Sequence, residues 1–339
     1  MPADRPVVLA TRGSPLALAQ AHSVAAACRR AFPTWRFELL LVKTTGDKLQ
    51  RASLAAPGQA LPKGLFTKEL EVALEEGTAD LAVHSLKDLP TDLPAGLELG
   101  AVLERADPRD VLVWRDADPR PNSASGTSAA EAPRPLPELG EGAVLATSST
   151  RRREQVRALR PDVAIVEIRG NVHTRLRKLA ERVACDATLL AAAGLFRLGF
   201  SLQPDGRLLG PGPDVADPAS SPPVPEGLRA RPLPVEVMVP CVGQAAIGLE
   251  RRSGDDRLAE VCARLNHRPT FQCVTAERTF LRALGGGCQS PVAALAEVVG
   301  EELQMRGVSF RDGPARRALV RGPLVEPVAL GEQLAAQLR

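Results

Sequence analysis

The side chains of this sequence that could do chemistry are arginines at helix starts, a lysine–aspartate pair and a cysteine behind three glycines. Arg12, Arg151, Arg152, Arg169, Arg175 and Arg197 each fall at the end of a predicted strand or in the helical turns that follow it. A helix N-terminus already attracts anions through its unpaired N–H groups and its dipole. Guanidinium forks added there make sites suited to carboxylate or phosphate. One such arginine reads as a solvated surface charge. The whole set, on the same edge of successive sheets, points to a polyanionic ligand. No GxxxxGK[ST] occurs and no GxGxxG opens a helix, so a nucleotide phosphate is not favoured.

Lys87 and Asp88 lie just past another short strand. In a cleft, that carboxylate could stabilise a cationic intermediate and move a proton. The plain alternative is a loop ion pair. His84, four residues before Asp88, reads as a hydrogen-bonded structural histidine. Gly285, Gly286 and Gly287 let backbone approach closely and leave Cys288 on a loop, as a nucleophile or covalent anchor requires. No triad partner lies nearby in sequence. Cys28, Cys185, Cys241, Cys262 and Cys273 form no CxxC and no zinc spacing, and read as small buried hydrophobes. No metal site is expected.

The elements that must position these groups follow from the hydrophobic pattern. A length of 339 residues suggests about two domains, or three small ones. With 44% apolar and 24% charged residues, wholesale disorder is excluded. No run is long enough to span a membrane, and residues 1–6 lack the apolar core of a signal peptide, so the expected address is cytoplasmic. Aromatics are only 3% and net charge only +3, which argues against nucleic acid as a partner. Strands are predicted at 7–10, 37–42 and 80–83, with helices from Ser14 to about 30 and over 65–76. The pattern repeats with strands at 143–146, 163–168 and 187–190, the first two feeding helices. Alternating strands and helices indicate an α/β fold of two similar domains with a cleft between them, ligands collecting beyond the carboxyl ends of the strands. Residues 117–141 and 204–234 read as surface loops or partly disordered insertions. The chain reads as helical from 243 to about 284, and a small α+β module closes it.

Several runs, in order, are more specific: Thr11-Arg12-Gly13-Ser14-Pro15-Leu16-Ala17, Lys63-Gly64-Leu65-Phe66-Thr67-Lys68-Glu69-Leu70, Val83-His84-Ser85-Leu86-Lys87-Asp88-Leu89-Pro90 and Thr147-Ser148-Ser149-Thr150-Arg151-Arg152. They continue as Arg169-Gly170-Asn171-Val172-His173-Thr174-Arg175, Ala192-Ala193-Gly194-Leu195, Leu265-Asn266-His267, Thr275-Ala276-Glu277-Arg278 and Gly286-Gly287-Cys288-Gln289. The set resembles the porphobilinogen deaminase (hydroxymethylbilane synthase) family. The resemblance implies two periplasmic-binding-protein-like α/β domains, 1–103 with 246–263 and 109–239, and a small C-terminal α+β domain, 268–339, carrying the cysteine.

It further implies a dipyrromethane cofactor joined by a thioether to Cys288, onto which four porphobilinogens are added head to tail with loss of ammonia. Hydrolysis then releases the linear tetrapyrrole hydroxymethylbilane. Each ring carries an acetate and a propionate, which suits the arginines. By resemblance Asp88 is catalytic and also contacts the cofactor, with Lys87, Ser149, Arg151, Arg152 and Arg175. Arg12, Ser14, Arg169 and Arg197 would meet substrate or the growing chain, and Phe66 would cover a ring. The family likeness also implies a monomer. Departures include Gln59 and Ala60 in a loop where a lysine is frequent, His173 in place of a common glycine, Cys241 and Ala245 in a glycine-rich run, and Phe196 in place of a lysine. The competing reading is a non-catalytic bilobal anion-binding module, which would explain the arginines but neither Cys288 nor Lys87-Asp88.

Overall fold

The computed structural model describes residues 5–46, 64–115, 135–181, 185–211, 227–287 and 290–339. In chain order the first elements are β1 (Val7–Arg12), α1 (Pro15–Ala31), β2 (Phe37–Val42), α2 (Lys68–Glu75), β3 (Leu81–Ser85), a single 3-10 turn at Leu86–Asp88, and β4 (Leu97–Val102). Next come β5 (Asp110–Arg115), β6 (Val144–Ala146), α3 (Thr150–Leu159), β7 (Ala164–Val166), α4 (Val172–Ala180), β8 (Ala187–Ala191), α5 (Ala192–Arg197), β9 (Ser201–Leu202), β10 (Leu208–Leu209) and β11 (Leu228–Pro232). The chain ends with β12 (Ile247–Arg252), α6 (Asp256–Leu265), α7 (Arg268–Ala283), β13 (Val292–Val299), β14 (Glu302–Ser309), β15 (Arg316–Pro323) and α8 (Pro327–Leu338).

Contacts divide the chain into two compact units, residues 1–108 with 240–339 and residues 109–239. The first unit holds a five-stranded sheet in the order β2-β1-β3-β12-β4. β2 and β3 run parallel to β1, and β12 runs antiparallel to both its neighbours. The second unit repeats the plan: read from β7, its order is β7-β6-β8-β5-β11, with β5 as the antiparallel insert. The chain is thus an α/β protein with two domains of like topology. A separate three-stranded sheet, β13-β14-β15, is antiparallel and packs on α7 and α8 around Phe280, Leu303, Met305, Leu330 and Leu334.

Helix starts are fixed locally, as the sequence indicates. Ser14 Oγ accepts from Ala17 N (3.3 Å) with Pro15 in the first turn, Ser149 Oγ accepts from Arg152 N (3.4 Å), and Asn171 Oδ1 accepts from Thr174 N (2.9 Å). These caps hold the N-termini of α1, α3 and α4 at the carboxyl ends of β1, β6 and β7.

Two expectations differ from the structure. The stretch read as helical from 243 to 284 opens with β12, which lies between β3 and β4. Its first four residues are buried, so it shows no helical period, and Gly248 meets the side chains of Leu86 and Leu99 so closely that a Cβ would lie 2.9–3.0 Å from them. The segment read as a loop over 204–234 contains β10, paired with β9, and β11, which borders the second sheet along β5. Leu136 and Leu139, from the first of the two apparent insertions, are buried in that unit's core.

Candidate functional site

In the second unit the chemistry begins at the first residue of β5. Asp110 is fully buried and accepts from Arg151 Nη1 (2.6 Å) and Nη2 (3.2 Å) and from Arg152 Nε (3.0 Å) and Nη2 (2.7 Å). Arg151 also donates to Val239 O (2.8 Å) and Arg152 to Leu189 O (2.8 Å). Burial opposes charge on Asp110, but the two guanidiniums outweigh it and hold the carboxyl well below its ordinary range. One carboxylate therefore serves two arginines.

Arg175, one turn into α4, donates to Gly170 O (2.8 Å) and has no carboxylate partner among the described residues. Burial, together with repulsion from Arg152, pushes its guanidinium down to about 10. Arg197, the last residue of α5, is likewise pushed down to about 10 by burial. Arg175 thus adds charge beside Arg152, which Asp110 already shares with Arg151. Such a cluster favours a ligand that brings carboxylates of its own. Arg169 differs, being exposed and paired with Glu167 (3.2 Å). Ser149 caps α3, and its hydroxyl proton can still donate. His173 turns inward on the same face as Leu176 and Leu179 and packs on Phe200, ring centroids 5.1 Å apart. It does not join the arginines.

In the first unit Arg12 ends β1, and its guanidinium lies over the Phe66 ring, 4.2 Å from the centroid. Phe66 in turn lies against Gly46, where an added Cβ would fall 2.2 Å from the ring. As placed, Phe66 covers a guanidinium. Ser14 follows two residues after Arg12 as the cap of α1.

Lys87 and Asp88 occupy the 3-10 turn that continues β3. Leu86 N donates to Ala246 O (3.0 Å), and Leu89 N closes the turn on Leu86 O (3.2 Å). Gly243, at φ +70°, brings its backbone against the Leu86–Lys87 peptide, where a Cβ would meet Leu86 C at 3.1 Å and Lys87 N at 3.2 Å. Behind the turn, buried His84 Nε2 pairs with fully buried Glu250 Oε2 (2.9 Å), the structural role its sequence context suggests. A small cavity is lined by Lys87, Leu89, Pro90, Thr91, Arg278, Leu281 and Gly287, among others. The Lys87 turn and the residue just before Cys288 therefore face the same space. Gly287 N donates to Ser290 Oγ and Ser290 N donates to Gly287 O, each at 2.9 Å. Cys288 itself, and Gln59 and Ala60, lie outside the described residues.

Cys28, Cys185, Cys262 and Cys273 are buried, as read from the sequence, whereas Cys241 is partly exposed and its thiol lies 3.5 Å from Gln244 Oε1. Burial pushes Cys28 up to about 11 and Cys262 and Cys273 up to about 12. Sequence reasoning missed Asp110 and the pairing of Arg105 with buried Glu277 (2.6 Å). Glu277 also accepts from Gly243 N (2.7 Å) and Ala296 N (2.9 Å). The available signal was an acidic residue inside each apolar run, Asp110 before Val111-Leu112-Val113 and Glu277 on the inner face of a helix.

Known proteins are similar to this sequence over nearly its whole length. The family model "Porphobilinogen deaminase, dipyromethane cofactor binding domain" matches residues 7–260, and "Porphobilinogen deaminase, C-terminal domain" matches 271–339. A porphobilinogen deaminase of Desulforudis audaxviator is 43% identical over 336 residues, covering 98% of this chain and 94% of that protein. That of Moorella thermoacetica is 43% identical over 334 residues, covering 98% and 92%. One from a Roseiflexus species is 41% identical over 333 residues, covering 98% and 95%. Two matched models that together span nearly the whole sequence, and relatives this similar over nearly their full length, show that this chain belongs to the porphobilinogen deaminase family.

Proposed function

We propose that Asp88 moves protons and stabilises positive charge in this chain's reaction, and that Lys87, Asp88, Ser149, Arg151, Arg152 and Arg175 contact the dipyrromethane attached at Cys288. The chain is a transferase of tetrapyrrole biosynthesis: it joins four porphobilinogens head to tail with loss of ammonia and releases hydroxymethylbilane. Bound dipyrromethane supplies the nucleophilic pyrrole carbon on which the chain starts. One observation supports the reading of the Lys87–Asp88 turn: Leu86, Lys87 and Leu89, the neighbours of Asp88, line a cavity with Gly287, which precedes Cys288 in the sequence. The cation excess around Asp110 supports the assignment of the carboxylate contacts.

Each residue then acts by its own chemistry. Arg175, which has no carboxylate partner among the described residues, accepts one from a pyrrole side chain. Arg151 and Arg152, anchored by Asp110, present a fixed positive edge. Arg12, Ser14, Arg169 and Arg197 bind incoming substrate, and Phe66 moves from the Arg12 guanidinium to a pyrrole face, which offers a similar stacking surface. Asp88 accepts a pyrrole N–H. As ammonia departs from porphobilinogen, it faces the positive charge that develops on the ring. The family boundaries at 260 and 271 support a separate C-terminal domain at 268–339, beside 1–103 with 246–263 and 109–239. The free thiols support a reducing, cytoplasmic address. We assign the working unit as a monomer.

The test is turnover of porphobilinogen by folded, cofactor-loaded variants. Asp88→Asn keeps the shape and loses the charge, and the expected rate loss is at least about a hundredfold. Asp88→Glu retains more activity. An Asp88→Asn enzyme within about threefold of wild type removes Asp88 from the mechanism.

A further inference from the structure

Building on that assignment of Asp88, we infer that Arg278 is a positioning residue that fixes the Asp88 turn relative to the loop bearing Cys288. Arg278 is only 8% exposed, on the face of α7 toward the turn. It donates Nη1 to Leu89 O (3.2 Å) and Nη2 to Pro90 O (2.7 Å) and Thr91 O (3.3 Å). These are the three carbonyls immediately after Asp88. Beyond the Leu89 N–Leu86 O bond, the segment that bears them has little backbone pairing of its own. Pro90 has no N–H to donate, and residues 89–96 belong to no strand until β4 begins. A planar guanidinium reaching three successive carbonyls supplies donors from α7 in a geometry an ammonium cannot copy, and Arg282 on the same helix adds a bond to Thr91 O (2.5 Å) and an ion pair with Asp92 (2.8 Å).

The same helix controls the other reactive group. Three residues after Ala283, the last residue of α7, comes Gly286, whose N–H returns to Leu281 O (3.0 Å), and Cys288 follows Gly287. Gly287 and Arg278 line one cavity with Lys87. The residue before Arg278, Glu277, holds the opposite flank: it takes the N–H of Gly243, whose backbone lies against the Leu86–Lys87 peptide. Two consecutive side chains of one helix thus hold the turn from both sides. The helix that delivers the covalent anchor also sets where Asp88 stands. A displacement near 1 Å at a reacting group is enough to cost on the order of a hundredfold in rate.

The experiment is a double-mutant cycle in kcat for porphobilinogen turnover, using wild type, Arg278→Met, Asp88→Asn and the double variant. Circular dichroism and intact mass set the folded, cofactor-loaded fraction of each. Arg278→Met is expected to lower kcat by about tenfold to a hundredfold with little change in KM. In the Asp88→Asn background the same change should cost less than about twofold. Arg278→Lys keeps charge and most of the volume, serves where Arg278→Met fails to fold, and should show a smaller loss with the same non-additivity. An equal loss in both backgrounds, or a loss wholly explained by the unfolded or unloaded fraction, overturns the inference while leaving Asp88 catalytic. An Asp88→Asn enzyme as fast as wild type removes both.

Discussion

Asp110→Asn is the substitution whose effect can be worked most fully from the structure. Asp110 Oδ1 accepts from Arg151 Nη2, Arg152 Nε and Arg152 Nη2, while Oδ2 accepts from Arg151 Nη1 at 2.6 Å. An asparagine keeps one acceptor oxygen. Its NH₂ group then faces either the Arg151 contact, donor against donor, or the three donors at Oδ1. The side chains of Arg151 and Arg152 are only 6% and 8% exposed, so water cannot replace the lost anion. Breaking a buried pair from one side costs about 3–5 kcal/mol. Against a typical total of about 5–15 kcal/mol for a domain, that is a large fraction. Trp114 lies in β5, four residues on, and the sequence has one other tryptophan, Trp35. In a Trp35→Phe background, fluorescence therefore reports the second unit. Urea unfolding followed at Trp114 should show the full loss in the cofactor-free protein. A change below about 1 kcal/mol, the scale of an exposed ion pair, would refute the reasoning that Asp110 carries the two arginines.

Arg175→Leu should act in the opposite direction on stability. It removes a cation held largely out of water without a described carboxylate partner, so the cofactor-free protein is expected to be as stable as wild type or more so in urea, while the fraction carrying cofactor by intact mass falls. Acid should unfold the protein through its depressed carboxylates. Asp110, and Asp162 held down to about 2 by Arg160, bind fewer protons folded than unfolded, so their contribution is complete above the ordinary carboxyl value and is lost as pH falls through the folded one. Urea midpoints should be flat from about pH 7 to 5 and fall below about pH 4, and Asp110→Asn should flatten that fall.

The sequence is most readable where local rules act. Ser14, Ser149 and Asn171 announce helix starts because a cap needs only its own next turn. The arginines could be placed at sheet edges because each follows a short apolar strand. Long-range pairings left weaker traces. β12 joins its sheet after the whole second unit has intervened, and a strand buried between two others has no alternation to betray it. β11 lies at an edge among prolines, where composition speaks for a loop and only its partner β5 makes it a strand. Asp110 was invisible as a partner for the same reason, since it lies 41 residues from Arg151. The consequence reaches the chemistry: Arg151 and Arg152, which sequence alone offers as open carboxylate receptors, are also structural ions.

The claim that this chain builds its product on a primer fixed at Cys288 is tested most directly by the intact mass of the purified protein, beside Cys288→Ser. From a host that makes porphobilinogen, the wild-type mass should exceed the sequence mass by one dipyrromethane. Cys288→Ser should be folded by circular dichroism, inactive and unmodified, whereas Ala substitutions at Cys28, Cys185, Cys241, Cys262 or Cys273 should keep the added mass. An unmodified wild-type protein that turns over porphobilinogen, or a Cys288→Ser protein that still carries the pyrroles, would contradict the account.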